Sequence, residues 1–361
     1  MSNTSRQLLD VAYSRLGFSE GDLQDAVDRP TDTTPANWVE KGDWLTLAKK
    51  VGAEKVFFVN NYPVIAFAEQ VSGDPSDWLG YFNSSWCMAR PQMLFLARDG
   101  ELCVFNLTVR PSRKSDDRYR SERLLAAVKT TADVQDKLAN YRRDQVESGR
   151  LFEDERFGSG DRADRALIRD LGKVRSALIN AGLSATYAHA LIGRSIFIRY
   201  LEDRRVLIED YFRKVAKGDK AKWPRLLDEN LDTFAAGSGR RVFYPAVLSN
   251  KAFTYALFTQ LSDDFNGDMF PVDAEEFRAV TENHLKLLRK LLLANVDDNL
   301  FFFAYRFEII PIELISSIYE KFYSTKPGQK RDDGSYYTPA ALVEFVLSQS
   351  SGRMSWQNDL E

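Results

Sequence analysis

Met93-Leu94-Phe95-Leu96-Ala97, then Arg98-Asp99-Gly100, then the run from Leu102 to Val109: two apolar segments meet at an Asp-Gly pair. Such a pair supplies the left-handed backbone that a two-residue hairpin turn requires, so residues 93–109 read as two strands and a turn. The same texture occurs upstream. Val56-Phe57-Phe58-Val59 and Val64-Ile65-Ala66-Phe67 are short apolar runs separated by Asn60-Asn61-Tyr62-Pro63, a second strand pair. Residues 1 to about 45 read instead as short helices around a turn-rich stretch at 28–37. Together these features predict a small α+β domain over residues 1–115.

From residue 116 to 323 helical spacing takes over. Leu167, Ile168, Leu171, Val174, Leu178 and Ile179 form one apolar stripe over residues 165–183. Gly182 stands where a C-cap glycine belongs, and Ser184 suits the N-cap of the next helix, which runs to about residue 207. Further helices are expected at 252–262, 274–294 and 311–322, the last with Pro311 in its first turn. Residues 326–334 are a charged linker, and 339–349 begin another helix. The expected fold class is α+β: a mixed α/β domain at 1–115, a mainly helical domain at 116–325, and a third segment at 326–361.

Composition bounds the function. The chain has 361 residues, 44% hydrophobic and 28% charged, ordinary values for a globular protein of two or three domains. No apolar run approaches the roughly 18 residues of a membrane span. The first ten residues lack the basic-then-apolar order of a signal peptide. Cys87 and Cys103 have no paired spacing, which points to a reducing cytoplasm and argues against a zinc site. The net charge of −3 gives no overall basic excess. Contact with DNA therefore rests on local clusters, at 110–123, 142–143, 204–205, 240–241 and 326–331, or on a part outside this chain.

Three stretches carry a family resemblance. Asp333-Gly334-Ser335-Tyr336-Tyr337-Thr338-Pro339, followed by Leu342-Val343-Glu344-Phe345-Val346, resembles the Gly-x-Tyr-Tyr-Thr-Pro segment that opens the methyltransferase domain of type I and type IIG adenine-specific DNA methyltransferases. Phe265-Asn266-Gly267-Asp268-Met269-Phe270-Pro271, with residues 310–322 further on, is similar to the helical region that precedes that domain. His189 to Arg194 with Phe197-Ile198-Arg199-Tyr200-Leu201-Glu202-Asp203-Arg204 looks like an earlier helix of the same family. The resemblance implies an S-adenosylmethionine-dependent enzyme of a restriction-modification or phage-defence system. It also implies that Tyr337, Thr338 and Pro339 form one wall of the cofactor pocket. On local physics alone the block is a helix start: Gly334 frees a turn, Thr338 caps, Pro339 fits the first turn, and the helix N-terminus suits a carboxylate.

Two further motifs of that family are not found. The base-binding motif needs adjacent prolines, which hold the groups that grip a flipped-out adenine, and this sequence has none. Gly237-Ser238-Gly239 and Gly158-Ser159-Gly160 follow no strand-like run, so they read as loops rather than a cofactor turn. The expectation is an N-terminal part of a longer methyltransferase, or one half of a natural split gene, inactive alone. DNA would be engaged through the full-length protein or complex, with a specificity or catalytic subunit as partner. The alternatives are a non-catalytic scaffold subunit or a front nuclease domain.

A nuclease would need Asp, then Glu-x-Lys, at adjacent strand ends to hold magnesium. The strand from Glu101 to Val109 carries Asn106-Leu107-Thr108 where Glu-x-Lys would stand, so the arrangement fits at most a degenerate nuclease-like fold. His189 and His284 show no metal-ligand spacing. Arg194, Arg199, Arg204 and Arg205 lie on one helix with Glu202 and Asp203. They read first as ion pairs inside a helical bundle and second as candidate DNA contacts.

Overall fold

Asn60-Asn61 and Asp99-Gly100 adopt positive φ angles of 50°, 68°, 43° and 76°. Each closes a two-residue hairpin, with Val59 opposite Tyr62 and Arg98 opposite Glu101. The computed structural model describes residues 2–28, 38–70, 78–111, 116–158, 161–229, 241–265, 273–293, 305–311 and 314. Among these, six strands pair in chain order: β1 (Leu23–Asp25), β2 (Lys55–Val59), β3 (Tyr62–Glu69), β4 (Met93–Arg98), β5 (Glu101–Asn106) and β6 (Leu124–Val128). All neighbours are antiparallel except β3 and β4. A parallel pair needs a crossover, and the helix Trp78–Trp86 lies between these two strands in the chain. Pro63 lacks an N–H for the ladder, and the β2–β3 register shifts at Phe57/Phe58, opposite it.

Helices of this first region are α1 (Ser2–Arg15), α2 (Trp38–Lys50), α3 (Trp78–Trp86), α4 (Asp117–Arg123), α5 (Asp133–Lys137) and α6 (Arg143–Glu147). β4 is buried along its whole length, because both faces of the sheet are covered. On one face Ile65, Phe67, Phe95 and Val104 pack with Leu8, Leu9 and Ala12 of α1. Phe18 sits at the centre of that layer, its ring 5.0 Å from Phe57, 5.3 Å from Phe67 and 5.8 Å from Phe95. On the other face Trp78 of α3 stacks on Phe105 at 5.3 Å and 9°.

The sheet region does not stop at residue 115. β6 adds to β5, and Val134, Leu138, Tyr141, Val146, Leu151 and Phe157 return to the α1 side of the core. β1 also stands within the stretch whose sequence reads as helices and turns. Only three residues long, it carries too little pattern to be seen, and it is defined by pairing with β2. β5 ends at Asn106 rather than at residue 109. There the Asn106 carboxamide oxygen accepts from Thr108 N at 2.9 Å and Thr108 Oγ1 at 2.7 Å, a local turn that competes with the ladder.

The remainder of the described chain is helical: α7 (Ala163–Asn180), α8 (Ala185–Asp203), α9 (Glu209–Ala216), α10 (Trp223–Glu229), α11 (Tyr244–Val247), α12 (Lys251–Phe265), α13 (Ala274–Ala279) and α14 (Glu282–Leu293). The α7–α8 connection follows the sequence expectation. Gly182 adopts φ 96°, the N–H groups of Gly182 and Leu183 return to Ile179 and Leu178, and Ser184 Oγ accepts from Tyr187 N at 3.2 Å. The helix expected over 274–294 is two helices. Val280 is extended at ψ 129°, and Thr281 and His284 cap each other's N–H groups at 3.4 Å and 3.1 Å, so a new helix starts.

The fold is thus a mixed α/β domain followed by a mostly helical region. Residues 1–310 form one compact unit and 311–361 another, of which only Pro311 and Leu314 are described. The helices expected at 311–322 and 339–349 lie outside the described residues. No described helix is long and apolar enough to cross a membrane. Phe67 is fully buried with aromatic neighbours on three sides. Phe67→Ala should lower stability by about 3–5 kcal/mol, read as a shift in the urea midpoint; a change within error would contradict the central place given to this ring.

Candidate functional site

Helix α8 carries the charged residues singled out in the sequence, and its geometry divides them. Positions 194, 199, 202 and 203 face inward, while Arg204 and Arg205 follow the end of the helix. Arg194 is buried and grips Glu276 of α13 with two parallel hydrogen bonds of 2.8 Å and 2.7 Å. Tyr255 Oη adds a third contact to that carboxylate at 3.0 Å, and the Arg194 guanidinium lies 5.0 Å from the Phe258 ring centre. Next to this cluster Ser195 Oγ and Tyr244 Oη are 2.8 Å apart.

One turn on, Arg199 binds Glu202 at 2.6 Å and Asp203 at 2.7 Å. The spacing is i to i+3 and i+4, so both carboxylates reach the same guanidinium on one helix face. Each has an oxygen left over for the main chain of another segment. Glu202 accepts from Phe243 N, and Asp203 Oδ2 accepts from Phe307 N at 3.2 Å. Burial pushes the Glu202 carboxyl above its ordinary range against the opposing pull of Arg199. These are structural ties, the first of the two readings of this helix. Arg194 and Arg199 have their guanidinium groups turned into the protein, away from any phosphate in solvent.

Arg204 and Arg205 are exposed. Arg205 adopts φ 61° where α8 ends, and Arg204 lies over the Tyr200 ring at 4.5 Å with Nη2 donating to Ile310 O at 3.4 Å. The structure therefore does not bring the four arginines into one surface. The cofactor-wall residues Tyr337, Thr338 and Pro339 lie outside the described residues.

The hairpin offers no nuclease arrangement. Glu101, at the start of β5, is engaged by Arg120 and lies 3.3 Å from Cys103 Sγ. Asp99 pairs with Arg98 at 2.8 Å. Among the described residues no group of three or more His, Cys, Asp or Glu side chains is placed to hold a metal ion. His284 is buried; its Nδ1 accepts from Thr281 N, so the ring proton is on Nε2 and faces Ala181 O at 3.1 Å. His189 Nε2 accepts from Arg175 Nε, and burial together with that cation lowers its pKa. Gly158 follows short 3-10 turns at Arg150–Glu153 and Glu155–Phe157 rather than a strand. Gly237-Ser238-Gly239 lies outside the described residues.

Sequence reasoning finds the Arg199 cluster because its members share a helix. It misses Arg194–Glu276, whose partners are 82 positions apart, and it misses the triad in which Glu54 meets Arg6 and Tyr13. No periodic signal announces either. No protein-family model, no curated protein and no solved structure matches the chain.

Two outcomes test this description. Glu276→Ala leaves a buried guanidinium without its carboxylate and should cost about 3–5 kcal/mol. The double change Arg194→Met with Glu276→Leu should recover most of it in the same urea titration. Both thiols are pushed up to about 12 by burial, far from the thiolate range in which cysteine reacts. Ellman's reagent at about pH 8 should therefore label neither Cys87 nor Cys103 until the protein is unfolded; prompt native labelling would show that the cores around them open.

Proposed function

We propose that this chain supplies the α+β and helical parts of a site-specific, adenine-specific DNA methyltransferase of a restriction-modification or phage-defence system, acting in the cytoplasm. In this reading the described residues form a support. Residues 333–339 contribute one wall of the S-adenosylmethionine pocket, through Tyr337, Thr338 and Pro339. The methyl acceptor would be the exocyclic amine of an adenine taken out of the duplex.

The observation that carries the reading is the order of the three resembling stretches, from α8 through 265–271 and 310–322 to the Tyr-Tyr-Thr-Pro block. A structural finding lends support. The resembling stretch on α8 contains Arg194, Arg199, Glu202 and Asp203, and these are the residues that tie α8 to α13, to Phe243 and to Phe307. A sequence signature at these positions has a physical basis, because each substitution would strand a buried charge.

Catalysis needs the base-binding motif, so this chain alone should transfer no methyl group from labelled cofactor to DNA. A chain extended by the downstream catalytic region should bind S-adenosylmethionine in calorimetry. Thr338→Ala with Tyr337→Ala should weaken that binding about tenfold or more. Binding unaltered by both substitutions would remove the pocket assignment and favour a scaffold subunit.

A further inference from the structure

Helices α7 and α8 end in the same backbone motif with opposite residue choices. At the end of α7, Gly182 and Leu183 return their N–H groups to Ile179 O at 2.9 Å and Leu178 O at 3.1 Å. At the end of α8, Arg205 and Val206 return theirs to Glu202 O at 3.1 Å and Leu201 O at 2.9 Å. This motif places its first outside residue in the left-handed region, where glycine is favoured. It also favours an apolar contact from the next residue back onto the helix. The end of α7 follows both preferences: Gly182 has φ 96°, and Leu183 is buried. The end of α8 breaks both. Arg205 holds φ 61°, a conformation strained for a residue with a Cβ, and Val206 is 53% exposed. The N-caps that follow differ in the same sense. Ser184 caps α8 with its hydroxyl, whereas Ile208, with no polar group to offer, stands at the N-cap of α9 and is 52% exposed.

Arg204, Arg205, Val206 and Ile208 are thus exposed together in one short link. Of the five exposed large apolar side chains among the described residues, only Val206 and Ile208 stand this close in the chain. The link is held firmly from within. Leu207 is buried, Glu202 and Asp203 are locked to Arg199, and Arg204 lies over the Tyr200 ring. Among the described residues neither Arg204 nor Arg205 meets a carboxylate. In the first turn of α9, Glu209 is taken by Arg213 at 2.6 Å, which leaves the exposed Asp210 against two cations. Several local preferences broken in a row, on a rigid support, mark a site that something else completes.

We propose that the α8–α9 link is a docking surface for an acidic, aliphatic segment of a partner protein. Such a segment would withdraw Val206 and Ile208 from water and bring the carboxylates that Arg204 and Arg205 lack. A carboxylate also suits the start of α9, which has no side-chain cap of its own. Duplex DNA would answer the arginines and leave both aliphatic side chains wet. The surface does not depend on the methyltransferase reading.

The test pairs binding with stability in the full chain. Labelled peptides built from Glu and Leu, Gln and Leu, Glu and Ser, or Lys and Leu are titrated by fluorescence anisotropy. The Glu-Leu peptide should bind most tightly. Arg204→Gln with Arg205→Gly, or Val206→Ser with Ile208→Ser, should weaken it about tenfold or more. Made singly, Arg205→Gly and Ile208→Ser should each raise the thermal midpoint, because glycine suits the left-handed position and serine the cap. Binding lost while stability is gained is a pattern that a structural role does not produce. A lower midpoint for either single variant would show that these residues serve the fold and would overturn the proposal. So would absent or equal binding of the four peptides, or binding unchanged in the variants. A duplex that binds more tightly than the Glu-Leu peptide, or self-association in sedimentation that the same variants abolish, would assign the link to DNA or to a second copy instead.

Discussion

Asp203 has two oxygens and two obligations. One faces Arg199, and the other receives Phe307 N across more than a hundred residues of chain. A carboxylate this deeply buried is tolerable only when both are met. The position of the 305–310 segment therefore depends on the charge state and rotamer of a side chain at the end of α8. From there the dependence spreads. Tyr305 reaches Asp170 of α7 at 3.2 Å and packs on Trp86 at 5.3 Å, while Arg306 meets Ser84 Oγ at 2.8 Å and the Cys87 sulfur at 3.4 Å. A segment of six residues thus joins α3, α7 and α8, so the sheet region and the helical region share one clasp.

What the sequence discloses follows the range of the interactions. The hairpin at Asp99-Gly100, the stripe on α7, the Gly182 stop and the Ser184 cap are each decided within a few residues, and each is legible. Strand β1 is not legible, because three residues carry no period and acquire meaning only beside β2. The break at Val280 is hidden for a related reason. Apolar spacing runs through it almost unaltered, and the capping exchange of Thr281 with His284 outweighs the propensity to continue. The Arg199 cluster can be anticipated from i+3 and i+4 spacing, yet its distant ties to Phe243 and Phe307 cannot. The residues proposed for the cofactor wall rest on resemblance to a family and on no contact in the described structure.

Charge gives a similar lesson. A net charge of −3 says little about any one surface, since the total averages over opposed faces. Arg110 and Arg169 are far apart in sequence and reach the same carboxylate oxygen only in the fold. Helix α8 spends both of its arginines, Arg194 and Arg199, internally. On α7, Arg169 turns to Asp161 and Arg175 to His189. Whether an arginine faces a ligand or a carboxylate is decided by which side of its helix the core occupies.

The clasp at 305–310 also has a bearing on how the chain is made. A ribosome releases the sheet region first, and the strands can pair as soon as β6 has emerged. Ser84 and Trp86 on α3, with Cys87 just after it, must then wait for residues that arrive about 220 positions later. Until that stretch emerges, α3 lacks its contacts to Tyr305 and Arg306, and Asp203 lacks its contact from Phe307 N. Completion of the sheet region is thus deferred to the end of the helical region, and two parts distinct in architecture become a single unit in the order of their assembly.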